Sequence, residues 1–321
     1  MGEAFAGMKI AVLIPCHNEE QAIAPVVRSF QAALPQAEIY VYDNASTDRT
    51  AQAAAAAGAQ VRSEPLKGKG NVVRRMFADI EADIYLLTDG DDTYHAPSAP
   101  LLVARLLEDN LDMVVGRRRE SGNGEAYRVG HRSGNRLLAG AVALIFGRRL
   151  VDMLSGYRAF SRRFVKSFAA VSSGFETETE MTVHALALRL PVAEIDTPYG
   201  ARPEGSASKL RTLRDGARIA FTIFNLFRGE RPLAFFTLWA AFFAALSIVL
   251  AIPVVIAYLE TGLVLRFPTA ILSTGLMLLA FLSQASGFIL DAVTDARREA
   301  KRLNYLSHES PAEAARRHGG A

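Results

Sequence analysis

Two stretches without a single charged residue, 233–259 and 267–290, constrain this 321-residue chain more than anything else in it. Each is longer than the roughly 20 residues needed to cross the hydrocarbon core of a bilayer. The intervening 260–266 is too short for a domain, so the pair reads as a transmembrane hairpin with both ends on one side. Arg228 and Arg231 flank the first span, Arg297, Arg298, Lys301 and Arg302 follow the second, and the loop between them has only Arg266. The positive-inside rule then puts both termini in the cytoplasm, as in a multi-pass protein of the cell inner membrane. In the second span, Ser283-x-x-x-Gly287 is a pair of small residues one turn apart. It suits packing against the first span, with homo-oligomerisation through the transmembrane helices as the other use.

Ahead of the hairpin, 210–231 mixes Arg211, Arg214 and Arg218 with Leu213, Ile219, Phe221, Ile223, Phe224, Leu226 and Phe227. That pattern fits an interfacial amphipathic helix that lays the preceding domain on the bilayer, and nearly as well a domain-core helix. The chain therefore divides into a cytoplasmic domain at 1–209, an amphipathic juxtamembrane segment at 210–231, two transmembrane helices within 232–292 and a basic cytoplasmic tail at 293–321. A formal net charge of +3 is too small to imply a nucleic-acid partner. Cys16 is the only cysteine, which excludes an intrachain disulfide and a cysteine-based zinc site. Residues 1–7 have neither a basic start nor a long apolar run, so no secretory signal is expected.

Within the first domain, short apolar runs at 9–14, 38–42, 83–88 and 112–115 are rich in β-branched or aromatic residues, and 20–33, 48–57 and 70–80 have helical spacing between them. Strands alternating with helices predict an α/β domain with a mostly parallel sheet and flanking helices. Such sheets bind ligands beyond the carboxyl ends of their strands. Three polar clusters fall there: Pro15-Cys16-His17-Asn18-Glu19-Glu20, Asp43-Asn44-Ala45-Ser46-Thr47-Asp48 and Asp89-Gly90-Asp91-Asp92.

Asp89 and Asp91, on a sharp turn past a strand, converge on one point in space. Like charges that close raise one another's pKa unless a cation joins them. Mg2+ is suited to one or two carboxylates plus substrate phosphate oxygens. Such an ion would bridge a donor diphosphate and stabilise the leaving nucleotide. Pro15, Asn18, Glu20, Asp43, Ser46 and Asp48 would line the nucleotide pocket with acceptors for a nucleobase N–H and ribose hydroxyls. Asn18 and Glu19 can equally start a helix, and Ser46 and Asp48 can cap one while serving the pocket. Lys67-Gly68-Lys69-Gly70 is a glycine-flanked basic turn that brings Lys67 and Lys69 toward phosphate. It lacks P-loop spacing, so no ATPase is expected.

In this order, Ile14-Pro15-Cys16-His17-Asn18-Glu19-Glu20, Asp43 to Asp48, Gly68-Lys69-Gly70 and Asp89-Gly90-Asp91 resemble the family 2 inverting glycosyltransferases, and among them the polyprenyl-phosphate hexosyltransferases related to dolichyl-phosphate mannose synthase. The resemblance covers roughly 8–230 and extends to the members that carry a membrane hairpin. It implies a GT-A fold, a nucleotide-diphosphate sugar donor, and Mg2+ or Mn2+. It further implies that Arg117 and Arg132 hold the acceptor lipid phosphate, that Asp152, Ser155, Tyr157 and Arg158 form an element beside the acceptor, and that Arg202 and Lys209 lie on a loop closing over the donor phosphates. Glu178 joins the acceptor region by the same reading, and with Glu176 and Glu180 it also suits the acidic first turn of a helix. Two positions depart from the family pattern. Relatives often show paired aspartates where this chain has Asp43-Asn44, and some supply a third metal ligand where it has Thr93.

A lipid phosphate is already anionic near neutral pH, so as a nucleophile it needs positioning and charge balance more than a base. The expected reaction is one in-line displacement at the anomeric carbon, giving a polyprenyl-phosphate-linked hexose for cell envelope glycan or protein glycosylation, with a UDP-sugar favoured over GDP-mannose. Asp152 would orient the acceptor region or serve as an auxiliary base. A saccharide or glycerolipid hydroxyl acceptor, or a non-catalytic membrane scaffold that keeps a nucleotide-binding fold, are the rival readings.

Overall fold

The computed structural model describes residues 7–120, 129–147, 150–169, 176–200 and 212–319, with only the backbone path described at 120, 129–136, 212–220 and 319. Residues 1–219 and 300–321 form one compact unit, and 220–299 form another.

The first unit opens with β1 (Ile10–Cys16), α1 (Ile23–Ala33), β2 (Glu38–Asp43), α2 (Thr50–Ala56), β3 (Gln60–Ser63), α3 (Lys69–Asp79) and β4 (Ile84–Leu87). It continues with α4 (Ala99–Glu108), β5 (Met113–Glu120), α5 (Val129–Phe146), β6 (Arg158–Ser161), α6 (Arg162–Ser167), α7 (Thr177–Ala187) and β7 (Val192–Tyr199). The sheet order is β3-β2-β1-β4-β6-β5-β7. β1, β2, β3 and β4 run parallel, as do β5 and β7, while β6 is antiparallel to both its neighbours. The expected α/β architecture with a mostly parallel sheet is present. Four of its strands match the apolar runs, whereas β3, β6 and β7 carry too little periodic apolar signal to stand out.

The apolar run of β1 is near-continuous because helices cover both of its faces. Ile10, Val12 and Ile14 pack with Val26, Val27 and Phe30 of α1 and Leu102, Val103 and Leu106 of α4 in one core cluster. Full burial of each such side chain contributes about 1.5–3 kcal/mol. The antiparallel β6 matters most for the site. Its first residue, Arg158, pairs in register with Leu87, the last residue of β4. The loop that feeds β6, from Asp152 to Tyr157, is thereby delivered to the carboxyl end of β4, where the acidic turn begins.

The chain end is more than a solvated tail. After α8 (Thr212–Glu230), α9 (Pro232–Thr261) and α10 (Phe267–Leu306), a last helix, α11 (Pro311–Gly319), returns to the first unit. Ala314 enters the core cluster, the Tyr305 hydroxyl donates to Asp112 at 2.9 Å, and Arg317 pairs with Asp83 at 2.8 Å. Asp83 and Asp112 precede β4 and β5, so the tail clasps the end of the sheet opposite the polar clusters.

In the second unit, α9 and α10 are apolar enough and long enough to cross a membrane, and only 17% and 11% of their most apolar windows are buried. The core helix of a soluble protein would be mostly covered, so this exposure suggests membrane association. α10 buries Ser273, Ala280 and Gly287 at seven-residue intervals, and α9 buries Ala240, Ser247 and Val254 in the same rhythm. Small residues let the two backbones approach. The Ser247 hydroxyl donates to the Ser273 carbonyl at 2.7 Å, and a Cβ on Gly287 would meet Phe236 Cβ at 3.0 Å. Gly287 is thus spent on packing within the hairpin.

Candidate active site

The turn after β4 is built around a glycine. A Cβ at Gly90 would lie 2.4 Å from Cys16 Sγ, so only glycine lets the turn close onto the end of β1. On either side stand Asp89 and the buried Asp91, which accepts from the Thr93 hydroxyl at 2.6 Å. Lys69, at the start of α3, reaches across to this turn. Its ammonium lies 2.5 Å from Asp89 Oδ1 and 2.5 Å from Glu178 Oε1 on α7. Burial alone would push the lysine down, but Asp89 and Glu178 outweigh it and hold the group well above its ordinary value. Glu178 is 4% exposed, and its second oxygen is buried without a hydrogen-bond partner among the described residues. Gly156 closes the other side: a Cβ there would come within 2.9 Å of both Lys69 Nζ and Asp89 Oδ2. The Tyr94 hydroxyl, buried in the same layer, accepts from Gly156 N at 2.8 Å. Tyr94 was not anticipated, because a lone aromatic after an acidic turn carries no periodic signal.

The loops after β1 and β2 are fastened to each other. Asn18 N donates to Ser46 Oγ at 2.9 Å, and Thr47 N donates to Asn18 Oδ1 at 2.8 Å. Glu20 N donates to Asp48 Oδ2 at 3.2 Å, and Arg49 N donates to Glu20 Oε2 at 3.1 Å. Asn18, Glu20, Ser46 and Asp48 therefore shape this edge by joining the two loops. Burial would raise the Asp48 carboxyl, but bonds from Thr50 and Glu20 hold it below the usual range. Asp43 differs. One of its oxygens accepts from Ser46 N at 3.3 Å, and the other is buried without a partner among the described residues. Pro15 is half-buried on β1 opposite Tyr42, and Lys67 is exposed.

Asn44 has a clear physical reason to depart from a paired aspartate. Its amide donates to the carbonyls of Glu64 and Leu66, both at 2.8 Å, and its oxygen accepts from Gly68 N at 2.7 Å. A carboxylate could not donate either bond. Asn44 thus holds the turn from which Lys69 projects, a role that only the folded chain reveals.

On the far side of the acidic turn, two neighbouring arginines of β5 have different partners. Arg118, not Arg117, grips Asp152, with Nε to Oδ2 at 2.8 Å, Nη2 to Oδ1 at 2.7 Å and the Arg118 amide at 3.1 Å. Burial would raise the Asp152 carboxyl, but Arg118 holds it below the usual carboxylate range. Alternation along β5 places Arg117 and Arg119 on the opposite face, where both pair with Asp196. The period of two in Gly116-Arg117-Arg118 was the available signal.

Ser155, Tyr157 and Arg158 do not line the site. All three are fully buried and brace the loop from beneath. Ser155 Oγ donates to the Gly116 carbonyl at 2.6 Å, Tyr157 OH to the His95 carbonyl at 3.3 Å, and Arg158 to the Ser155 and Met153 carbonyls at 2.8 and 2.6 Å. Arg132 lies on the first turns of α5, but its side chain is outside the described residues, as are Arg202 and Lys209.

Residues 11–168 match the glycosyl transferase family 2 domain. The glycosyltransferase AglJ of Haloferax volcanii is 36% identical over 71% of this chain and 75% of its own length. The dolichyl-phosphate hexose transferase of the same organism is 28% identical over 69% of this chain and 95% of its own. Among solved structures, glucosyl-3-phosphoglycerate synthase of Mycobacterium tuberculosis, in complex with Mn2+, UDP and phosphoglyceric acid, superposes with a TM-score of 0.57. It has 27% sequence identity over 71% of this chain and 80% of that one. The fold and the acidic turn define a GT-A glycosyltransferase. The chain belongs to glycosyltransferase family 2.

Proposed function

We propose that this glycosyltransferase moves a hexosyl group from a nucleotide-diphosphate sugar, with UDP-sugars favoured, to a polyprenyl phosphate at the cytoplasmic face of the inner membrane. One observation carries the reading: the base that a hydroxyl acceptor would require is already engaged. Asp152 is the carboxylate best placed by sequence for that role, and it is clamped by Arg118 and held in its ionised, weakly basic state. A phosphate acceptor needs no such base. The exposed apolar hairpin on the same chain supports a lipid substrate, and the likeness to a dolichyl-phosphate hexose transferase supports a polyprenyl one.

The donor side fits a divalent ion. Asp89 and Asp91 flank one glycine at a strand end, and among the described residues no cluster of three or more His, Cys, Asp or Glu side chains is placed to hold a metal. Two carboxylates with the remaining positions left to substrate oxygens is the donor set that Mg2+ commonly takes, and Mn2+ shares its preference for oxygen. When bound, that ion would neutralise the diphosphate. Asp43, with its unpartnered oxygen at the end of β2, accepts a nucleobase N–H. Lys69 balances the carboxylates around the diphosphate. Arg117 and Arg132 present the acceptor phosphate, while Arg118 and Asp152 hold the loop on the other face of β5. The acceptor oxygen then attacks the anomeric carbon in line. A new carbon–oxygen bond forms with inversion, and the old one breaks with its electron pair leaving on the nucleoside diphosphate.

Membranes carrying the protein, incubated with labelled UDP- and GDP-sugars and with polyprenyl phosphates or diacylglycerol, test this directly. Label should enter the polyprenyl phosphate fraction, and Asp91→Ala should abolish it. Label entering only the diacylglycerol would overturn the acceptor assignment.

A further inference from the structure

Two tyrosine hydroxyls cross between the acidic turn and the loop that feeds β6, in opposite directions. The Tyr94 hydroxyl accepts from Gly156 N at 2.8 Å, and the Tyr157 hydroxyl donates back to the His95 carbonyl at 3.3 Å. The two buried rings lie 5.3 Å apart between these bonds. Tyr94-His95 is therefore tied twice to Gly156-Tyr157. Each side of this link abuts a different part of the site. Toward the acidic turn, a Cβ on Gly156 would come within 2.9 Å of both Lys69 Nζ and Asp89 Oδ2. Toward β5, a Cβ on Gly116 would come within 2.8 Å of the Tyr157 ring, and the Tyr157 carbonyl accepts from Gly116 N at 2.8 Å. Gly116 immediately precedes Arg117 and Arg118. The turn is itself pinned to the end of β7. Gly200 N donates to the Thr93 carbonyl at 2.9 Å, and the Tyr94 and Tyr199 rings meet edge-on at 5.3 Å.

We propose that Tyr94 is a positioning residue for transfer: together with Tyr157 it fixes the spacing between the donor turn at Asp89 and the acceptor strand at Gly116, so that acceptor oxygen and anomeric carbon meet in line. This rests on the reading of Asp89 as part of the donor side and of β5 as part of the acceptor side. It deepens that reading by naming what holds the two sides in register. Tyr94 acts through Gly156 and touches neither substrate. The Gly156 N–H is buried, so no water replaces the tyrosine oxygen once it is gone, and the loop must shift to find another partner. In-line displacement is sensitive to such a shift, since a misplacement of about 1 Å costs roughly a hundredfold in rate.

The test uses the full chain in nanodiscs, a labelled nucleotide sugar and the acceptor that takes label from the wild type, polyprenyl phosphate on the reading above. Tyr94→Phe keeps the ring and removes the acceptor for Gly156 N. Transfer should fall by up to about a hundredfold, with the KM for both substrates little changed. Water needs no loop to place it. It still attacks the anomeric carbon as the nucleoside diphosphate leaves, with its proton passing to solvent, so a larger share of the label should emerge as free sugar. That share is a ratio within one sample and does not depend on how much of the variant folds. Tyr157→Phe should shift it in the same direction, and the double variant no further than the more affected single one. Tyr85→Phe is the control: its hydroxyl also accepts a buried backbone N–H, from Ala82 at 2.9 Å, but near the start of β4 and away from the acidic turn. It should lower the unfolding midpoint and leave the share of free sugar unchanged. Mn2+ binding in the presence of UDP, followed by loss of the free-ion electron paramagnetic resonance signal, should match the wild type in Tyr94→Phe. An unchanged share of free sugar in Tyr94→Phe overturns the proposal. Loss of Mn2+ binding in that variant also overturns it, because Tyr94 would then serve the acidic turn alone. Wild-type label in an acceptor other than polyprenyl phosphate refutes the acceptor reading, and the Tyr94 comparison then runs with that acceptor.

Discussion

The Lys69 ammonium stands 2.5 Å from Asp89 and 2.5 Å from Glu178, one cation shared by a strand-end turn and a helix that are distant in the chain. Glu178 is almost fully buried, so removing the lysine leaves a charge with neither water nor partner. Lys69→Met should therefore lower stability by about 3–5 kcal/mol, and Glu178→Gln in the same background should recover part of the loss. Thermal unfolding of the single and double variants measures this directly. Gly156→Ala should also disturb this pair, because its Cβ would come within 2.9 Å of both Lys69 Nζ and Asp89 Oδ2.

Arg118 and Arg117 are neighbours in sequence and should behave very differently. Arg118→Ala removes the bidentate ion pair of the buried Asp152 carboxylate and should cost about 3–5 kcal/mol, together with transfer activity. Arg117 pairs with Asp196 where each is about a third exposed, so Arg117→Ala should cost less than about 1 kcal/mol. Its effect should be confined to the KM for the acceptor. Unfolding midpoints and steady-state kinetics on both variants separate the two roles. Equal destabilisation would contradict the strand alternation described above.

The close approach of Gly90 to Cys16 predicts a compensating pair. Gly90→Ala puts a methyl 2.4 Å from the sulfur and should displace the acidic turn, lowering both the unfolding midpoint and activity. The next nearest atoms, from Ile14 and Ile23, are at 3.5 Å and tolerate the methyl. Adding Cys16→Ala should therefore rescue most of the loss. A double variant no better than Gly90→Ala would show that the glycine serves another purpose.

His184 should set the acid limit of the first unit. It is buried against Phe164 and Phe168, with Nε2 3.0 Å from Ser167 Oγ, and burial, with Lys301 nearby, pushes it down to about 3. Between that value and the ordinary pKa of about 6.5, the unfolded chain binds a proton that the folded one refuses, so stability rises with pH across this window. The slope approaches about 1.4 kcal/mol per pH unit. His184→Gln keeps a partner for Ser167 and should flatten the profile from pH 6 to 4, as followed by thermal unfolding at stepped pH.

What could be read directly was whatever repeats over short distances. Two uncharged runs, each long enough to cross a bilayer, announce a pair of long apolar helices by themselves. The apolar runs of β1, β2 and β4, each ending in a polar cluster, announce a parallel sheet with its site at the strand ends, since burial on both faces selects for such runs. The seven-residue rhythm of Ser273, Ala280 and Gly287 was present too, but only the facing rhythm in α9 shows that it is spent within the hairpin. Nothing local could report that β6 enters antiparallel and carries the Asp152 loop to Asp89. Nor could it report that Asn44 tethers the Lys69 turn, that Glu178 shares Lys69 with Asp89, or that α11 returns to clasp Asp83 and Asp112. Those facts depend on which long polar side chains meet once the strands are in register. A buried charge is stable only against the particular partner that arrives, and the arrival is decided by topology, which local periodicity does not encode.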